Sequence, residues 1–315
     1  MRSENLPPEA LCARASVVVL TLDAASWMPS LLTALRRVPE APHRILFIDS
    51  SSSDSTVELA RAAGHVVHEI SRKDFGHGKT RNLALSLCKD SDYIVFLTQD
   101  ALPVGDDWLQ RILAPLTDEG IGLAYGRQLP RPGSQLSERI AREFNYPAGP
   151  AEQTSAADLD TRGIKAVFCS NSFAAYRTDA LISIGGFPEA LPLGEDMAAA
   201  LRLMQQGYRR AYEPGAMVIH SHAYSLIQEF RRYFDIGALM TLDPELHRLH
   251  LATTSEGLRY ARAEWAAARS LAQKLAVLTR LFAKFGGFSL GRRYRWLPRR
   301  VRGNLGMHRF FWAMP

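Results

Sequence analysis

The chain has 315 residues, 47% hydrophobic and 22% charged, an ordinary globular composition with enough length for one large core or two smaller ones. Three widely spaced cysteines, Cys12, Cys88 and Cys169, argue against a disulfide framework or a zinc site and fit a reducing cytoplasm. The net charge of +6 is uneven: no acidic residue follows Glu264, while arginines and lysines continue to Arg309, so this end suits an anionic surface such as nucleic acid or the inner leaflet of a membrane. The opening MRSENLPPEALCARAS lacks a signal-peptide core, and no run of 18 apolar residues occurs, so neither membrane crossing nor ordinary secretion is expected.

Residues 1–14 combine two prolines with little periodicity and read as a loose tail. SVVVLTL (Ser16 to Leu22) is a β-branched run suited to a strand buried on both faces. A helical stretch follows near Trp27 to Arg37, then a second strand, RILFIDS. Asp54 stands where it would cap the next helix, whose apolar positions include Val57, Leu59, Ala60 and Ala63. VVHEI, TRNLALSLC and YIVFLTQD supply a strand, a helix and a fourth strand. This alternation predicts βαβ units and a mainly parallel α/β sheet, with Asp49 and Asp100 just past the carboxyl ends of two strands, where open sheets bind ligands. No G-x-G-x-x-G follows the first strand, which disfavours a dinucleotide-binding domain.

Gly126 to Gly163, rich in Pro, Gly and polar residues, reads as long loops over the sheet edge. AVFCSNSFAAYR (Ala166 to Arg177) returns to strand alternation, GEDMAAALRLM opens a helix with Glu195 and Asp196 at its start, and helical patterning dominates from Leu226.

FGHGKTRN (Phe75 to Asn82) contains a Gly-Lys-Thr that suggests a phosphate loop. The Walker pattern also needs a glycine five positions before Gly78, and Lys73 stands there. The stretch is therefore either a helix start after a glycine turn or an anion-facing loop of another kind.

The ordered series VVVLTLD, FIDSSSSDST, GKTRNLAL, FLTQDALP and GEDMAAALRL resembles the family 2 glycosyltransferases of the GT-A fold over roughly residues 15–225. FGHGKTRN, FLTQDALP, YGRQLP, EFNYP and HSHAYS look like the bacterial rhamnosyltransferase branch, which builds surface polysaccharides. The resemblance implies a GT-A domain at 15–225, a Rossmann-like sheet flanked by helices, and a basic helical extension at 226–315. It implies an inverting transfer from a nucleotide-sugar, dTDP-L-rhamnose for this branch, to a glycan or lipid-linked acceptor, by a cytoplasmic enzyme peripheral to the membrane and binding no nucleic acid.

Carried over residue by residue, the likeness makes Asp49 the ligand of the base and places Thr21 and Asp23 beside the nucleotide. It sets Arg81 and Asn82 near the diphosphate, with His77 adding a donor, and includes Gln99 and Asp100 in the nucleotide-sugar site. The family's Asp-x-Asp is here Thr98-Gln99-Asp100. Asp100 would hold Mg2+ or Mn2+ with the phosphates and His220 or His222, and a cation there stabilises the departing diphosphate. Glu195-Asp196 matches the family's acidic pair, with Asp196 as the base toward the acceptor hydroxyl. Arg127, Asn145 and Tyr146 lie on segments able to grip an acceptor or sugar. The basic, aromatic C-terminal end suits an anionic membrane. Two readings compete: a nucleic-acid-binding protein, from the basic end, and an inactive GT-A scaffold, from Thr98.

Overall fold

The computed structural model describes residues 11–252 and 255–313. β1 (Ala15–Thr21) is buried along its whole length, which is why its sequence shows no polar alternation. It lies between β2 (Arg44–Asp49) and β4 (Tyr93–Thr98), parallel to both, and β3 (Val66–Glu69) extends the sheet beyond β2. The intervening helices are α1 (Met28–Arg36), α2 (Thr56–Ala62) and α3 (His77–Leu87). Residues 1–10 of the expected tail lie outside the described residues, whereas Leu11 and Cys12 are buried in the core. Asp54 ties down the start of α2, accepting from Thr56 N at 3.1 Å, and also holds Ala25 N at 2.9 Å, although Ser55 occupies the cap position.

The second half adds β5 (Leu102–Val104), α4 (Trp108–Leu113), β6 (Ile121–Leu129), α5 (Leu136–Asn145), β7 (Glu152–Thr154), β8 (Phe173–Arg177), α6 (Thr178–Ser183), α7 (Glu195–Gln205) and β9 (Arg209–Ile219). The single mixed sheet runs β3-β2-β1-β4-β8-β6-β9-β5, with β7 on β9. β8 is antiparallel to both β4 and β6, and two reversals restore direction. β6 and its parallel partner β9 therefore end at the same edge as β1, β2 and β4. This gathers Asp49, Asp100, the residues after β6 and those after β9.

Two sequence expectations are corrected here. Gly126 to Gly163 is not a run of long loops: it contains the end of β6, the ten-residue α5 and β7, because the Ser- and Arg-rich stretch before Asn145 is a strongly amphipathic helix. AVFCSNSFAAYR is not one strand: Ile164–Val167 is a helical turn and β8 begins only at Phe173.

The sheet's alternation sends Val18, Ile48, Ile94 and Phe96 to one face, against α7, and Val17, Val19, Phe47 and Val95 to the other, against α1 and α4. The C-terminal region comprises α8 (Leu226–Leu242), α9 (Pro244–Ala252), α10 (Ser255–Ala267), α11 (Leu271–Gly291), α12 (Arg299–Leu305) and α13 (Arg309–Ala313). Leu239 and Met240 of α8 and Leu246 and Leu249 of α9 belong to the same buried cluster as Phe96. The extension thus completes the core that the sheet begins.

The glycine of GKT has a packing role. A side chain at Gly78 would drive into the backbone carbonyl of Pro188, so only glycine lets the first turn of α3 touch the loop before α7. Lys79 points outward to an exposed ion pair with Asp74 at 3.3 Å. Gly78→Ala is expected to destabilise the fold by about 1–3 kcal/mol through overpacking, whereas Lys79→Ala leaves the urea midpoint essentially unchanged. Equal midpoints for the two variants would refute the packing role.

Candidate active site

Asp100 lies two residues past β4, and His220 and His222 follow β9, His220 N still bonding Leu129 O at 2.9 Å. One ligand atom from each of the three lies within 4.8 Å of the others. His220 Nε2 is 3.5 Å and His222 Nδ1 3.6 Å from the Asp100 carboxylate. His220 Nδ1 is 2.9 Å from Gln128 Oε1, an oxygen that also accepts from Arg142 and can only accept. Nδ1 therefore carries the ring proton, which turns the Nε2 lone pair toward Asp100. Burial pushes both imidazoles below their ordinary value, His222 to about 3, so both are neutral near pH 7. One carboxylate converging with two neutral imidazole nitrogens is a donor set that fits a divalent cation. Arg131, stacked over the Trp27 ring at 4.5 Å, reaches the same carboxylate at 3.2 Å.

The second group stands at the start of α7. Gly194, left-handed at φ 82, turns the chain into the helix. Glu195 is buried, and its Oε1 lies 2.9 Å from Arg81 Nη1 and accepts from Asn171 Nδ2 at 3.2 Å. Asp196 accepts from Asn171 N at 3.2 Å and Met197 N at 2.9 Å. Burial, the largest influence, raises Glu195, but the Arg81 charge together with the backbone and Asn171 hydrogen bonds outweighs it and holds the carboxyl below its ordinary value. Burial and then the Glu195 charge push Asp196 up to about 7. The site therefore pairs an ionised carboxylate with one poised near neutrality.

Arg81 is accordingly engaged with Glu195 instead of offering its fork to solvent. Asn82 donates to Phe187 O at 2.9 Å and Glu189 Oε1 at 2.8 Å and accepts from Phe187 N at 2.8 Å, fastening the loop before α7. His77 is pushed down to about 3 by burial, and its neutral ring packs edge-on against Phe75 and His308.

At the ends of β1 and β2, Asp49 is fully buried and accepts from Thr21 Oγ1 at 2.8 Å, Ser52 N at 2.7 Å and Ser52 Oγ at 2.6 Å. Asp23 is exposed, accepting from Ser53 N at 2.8 Å and Arg72 Nη2 at 3.0 Å. The Gln99 amide clasps Leu22, accepting from its N at 2.7 Å and donating to its O at 3.1 Å. Asp23 and Ser51 are both left-handed, at φ 47 and 61, conformations that persist only where surrounding structure over-determines them. Together these residues form a polar rim above the strand ends.

Of the acceptor candidates, Arg127 Nε donates to Tyr146 O at 3.3 Å, Asn145 Oδ1 accepts from Lys165 Nζ at 3.0 Å, and Tyr146 is buried among Tyr125 and Phe168. Four residues escaped sequence reasoning: Gln128, Arg131, Tyr224 and Arg232. Tyr224 had a signal in HSHAYS, because residues at i, i+2 and i+4 share a face on extended chain; its ring stacks on His222 at 5.1 Å. Arg232, from α8, sits over Tyr224 at 5.8 Å, and its charge is felt by Asp196 and His222. It has no carboxylate partner among the described residues. A cavity of about 310 Å³ opens here, lined in part by Asn145, His222, Tyr224, Arg232 and Tyr233.

A sheet whose strand ends present a polar rim, a cation-competent triad and an acidic helix start is the architecture of a nucleotide-sugar transferase, and the chain belongs to glycosyl transferase family 2, which matches residues 16–185. It is a glycosyltransferase. It is 38% identical over 301 residues to the O-antigen chain rhamnosyltransferase RfbN of Salmonella typhimurium, covering 94% of this chain and 95% of that protein. It is 39% identical over 282 residues to the O-antigen chain rhamnosyltransferase WbaN of Salmonella anatum, covering 89% of each. The mannosyltransferase PcManGT of Pyrobaculum calidifontis, solved with GDP-Man and Mn2+, shares the fold with a TM-score of 0.57 at 18% identity, over 93% of this chain and 84% of that one. TarS of S. aureus does so with a TM-score of 0.54 at 18% identity, over 93% and 83%.

Removing Arg81 leaves Glu195 buried without its cation. Arg81→Met is expected to destabilise by about 3–5 kcal/mol, and adding Glu195→Gln to recover much of the loss in urea denaturation. A double variant as unstable as the sum of both single variants would show that the two side chains do not depend on each other.

Proposed function

We propose that the protein moves L-rhamnose from dTDP-L-rhamnose, with inversion, onto a growing lipid-linked glycan during surface polysaccharide assembly. The sugar rests on the likeness to the two Salmonella O-antigen rhamnosyltransferases. The chemistry rests on one observation, the Asp196 carboxyl set at the start of α7 beside the Arg81–Glu195 ion pair, where burial and the Glu195 charge raise it toward neutrality.

In this reading the nucleotide lies on the rim of Leu22, Asp23 and Arg72, which Asp49 and Gln99 brace from below. A divalent cation, Mn2+ in preference to Mg2+ because two of its three protein donors are imidazoles, would be held by Asp100, His220 and His222 and would offset the charge growing on the departing diphosphate. The histidines supply the ligands that Thr98 cannot, which speaks against an inactive scaffold. Arg232 and Arg131 add fixed positive charge around the same phosphates. The acceptor hydroxyl enters from the cavity beside Tyr224 and Tyr233. Its proton passes to a carboxylate oxygen of Asp196 while its oxygen bonds the anomeric carbon and the bond to the diphosphate breaks on the opposite face. Glu195, kept ionised by Arg81, sustains the basicity of Asp196. Work at the cytoplasmic face of a membrane, with the basic C-terminal end against it, brings the enzyme to a lipid-linked acceptor.

Release of dTDP from dTDP-L-rhamnose in the presence of Mn2+ and a lipid-linked acceptor tests this reading directly. Asp196→Asn is expected to lower kcat by about 10²–10⁴-fold and to leave dTDP binding intact. A base must be deprotonated to act, so kcat/KM should rise about tenfold per pH unit below 7 and level off above it. A flat profile from pH 5 to 8 would remove Asp196 from the role.

Metal binding has its own readout. After chelator treatment, Mn2+ should raise the melting temperature of the wild-type protein but not of His220→Ala. An equal shift in both would place the cation elsewhere.

A further inference from the structure

We infer that α11 lies flat on an anionic lipid surface through one apolar face. Leu271, Leu275, Leu278, Phe282 and Phe285 recur at alternating spacings of four and three, which sets them on one stripe of the helix. They are 75%, 54%, 38%, 74% and 72% exposed. Val277, Lys284, Gly287 and Gly291 face the other way and are buried, the two glycines lying against the α8 backbone at Phe230 and Phe234. The helix is therefore fixed to the protein by one side and offers a row of large apolar side chains on the other. A free monomer rarely exposes such a row.

The spacing would also suit a coiled coil with a second copy, and charge decides between the two occupants. Coiled-coil partners select each other by opposite charges flanking the seam. Here Lys274 is the one charged residue at those flanking positions, and no acidic residue follows Glu264 to complement it. Beyond the helix Arg292, Arg293, Arg295 and Arg300 are exposed, with no carboxylate partner among the described residues. Two copies face to face would set cations against cations. Anionic headgroups meet the same cations favourably, while Leu and Phe enter the acyl boundary. Trp265, which holds Lys274 over its ring at 5.3 Å, lies beside the start of α11, and Trp296, 82% exposed, follows the helix among the arginines; exposed tryptophans suit a headgroup layer. The helix docks and does not span: among the described residues none is long and apolar enough to cross a membrane.

This inference gives the membrane contact proposed above its surface, and its test reads vesicle binding instead of turnover, so either reading can fail without the other. The full chain is centrifuged with phosphatidylcholine vesicles with and without phosphatidylglycerol. Wild type should partition onto the anionic vesicles, weakly onto the neutral ones, and less as salt rises. Phe282→Ser with Phe285→Ser should cut anionic partitioning at least tenfold, and Arg292→Gln with Arg293→Gln and Arg295→Gln should abolish the preference for phosphatidylglycerol. Neither set touches the site, so the urea denaturation midpoint, measured in parallel, should stay at the wild-type level and certify folding. Equal partitioning of wild type and the phenylalanine variant would overturn the proposal. So would absent vesicle binding together with a light-scattering dimer that the phenylalanine variant disperses, which would assign the face to a second copy.

Discussion

The arrangement depends on one buried ion pair. Arg81 reaches from α3 to Glu195 at the start of α7, out of water on both sides. Taking two such charges from water is costly, and a pair of apolar side chains would fill the space at less expense. What an apolar pair could not do is keep a negative charge next to Asp196. That charge, added to burial, lifts Asp196 toward neutrality. Asn171 ties the two acids together, donating its side-chain amide to Glu195 and its backbone N–H to Asp196. Asn82 and Gly78 fix the same helix to the loop that precedes the acids.

The other half of the site follows from topology. β8 stands between β4 and β6 and runs antiparallel to both, so β6 and β9 share the direction of β4 and the segment after β9 reaches the edge where β4 ends. Two histidines on that segment can then complete a cluster that Asp100 begins. Gln128, on the intervening strand, fixes the tautomer of His220. The chain thereby assembles a carboxylate and two imidazoles where the family resemblance implies a pair of carboxylates, a softer donor set.

Much of this was legible in the sequence because it is local. The first four strands announce themselves by short β-branched runs, and the acids past their ends follow from the placement of those runs. The spacing of His220 and His222 and the adjacency of Glu195 and Asp196 likewise need no tertiary information. What sequence could not supply is what each polar group faces. Arg81 carries the same sequence signal whether it meets a phosphate or a carboxylate, and only the packing of α3 on α7 decides. Arg232 reads as one more arginine on an amphipathic helix until α8 is set against the strand ends. α5 was hidden by a composition that resembles loop, since its apolar residues are few and only half-buried, and the one buried residue in it is Glu138. The apolar face of α11 was visible only as a mixture of arginines and aromatics, because exposure cannot be told from burial by spacing alone.

That burial and the charge of Glu195, which Arg81 keeps ionised, together lift Asp196 into the range the proposed base needs has a direct measurement in the carboxyl carbon resonance of Asp196. It is followed through a pH titration of protein labelled at the aspartate side chains and assigned by comparison with Asp196→Asn. A midpoint near 7 that moves down when Glu195 is replaced by Gln is the predicted result. A midpoint near the ordinary aspartate value of about 3.9, indifferent to Glu195, would contradict it.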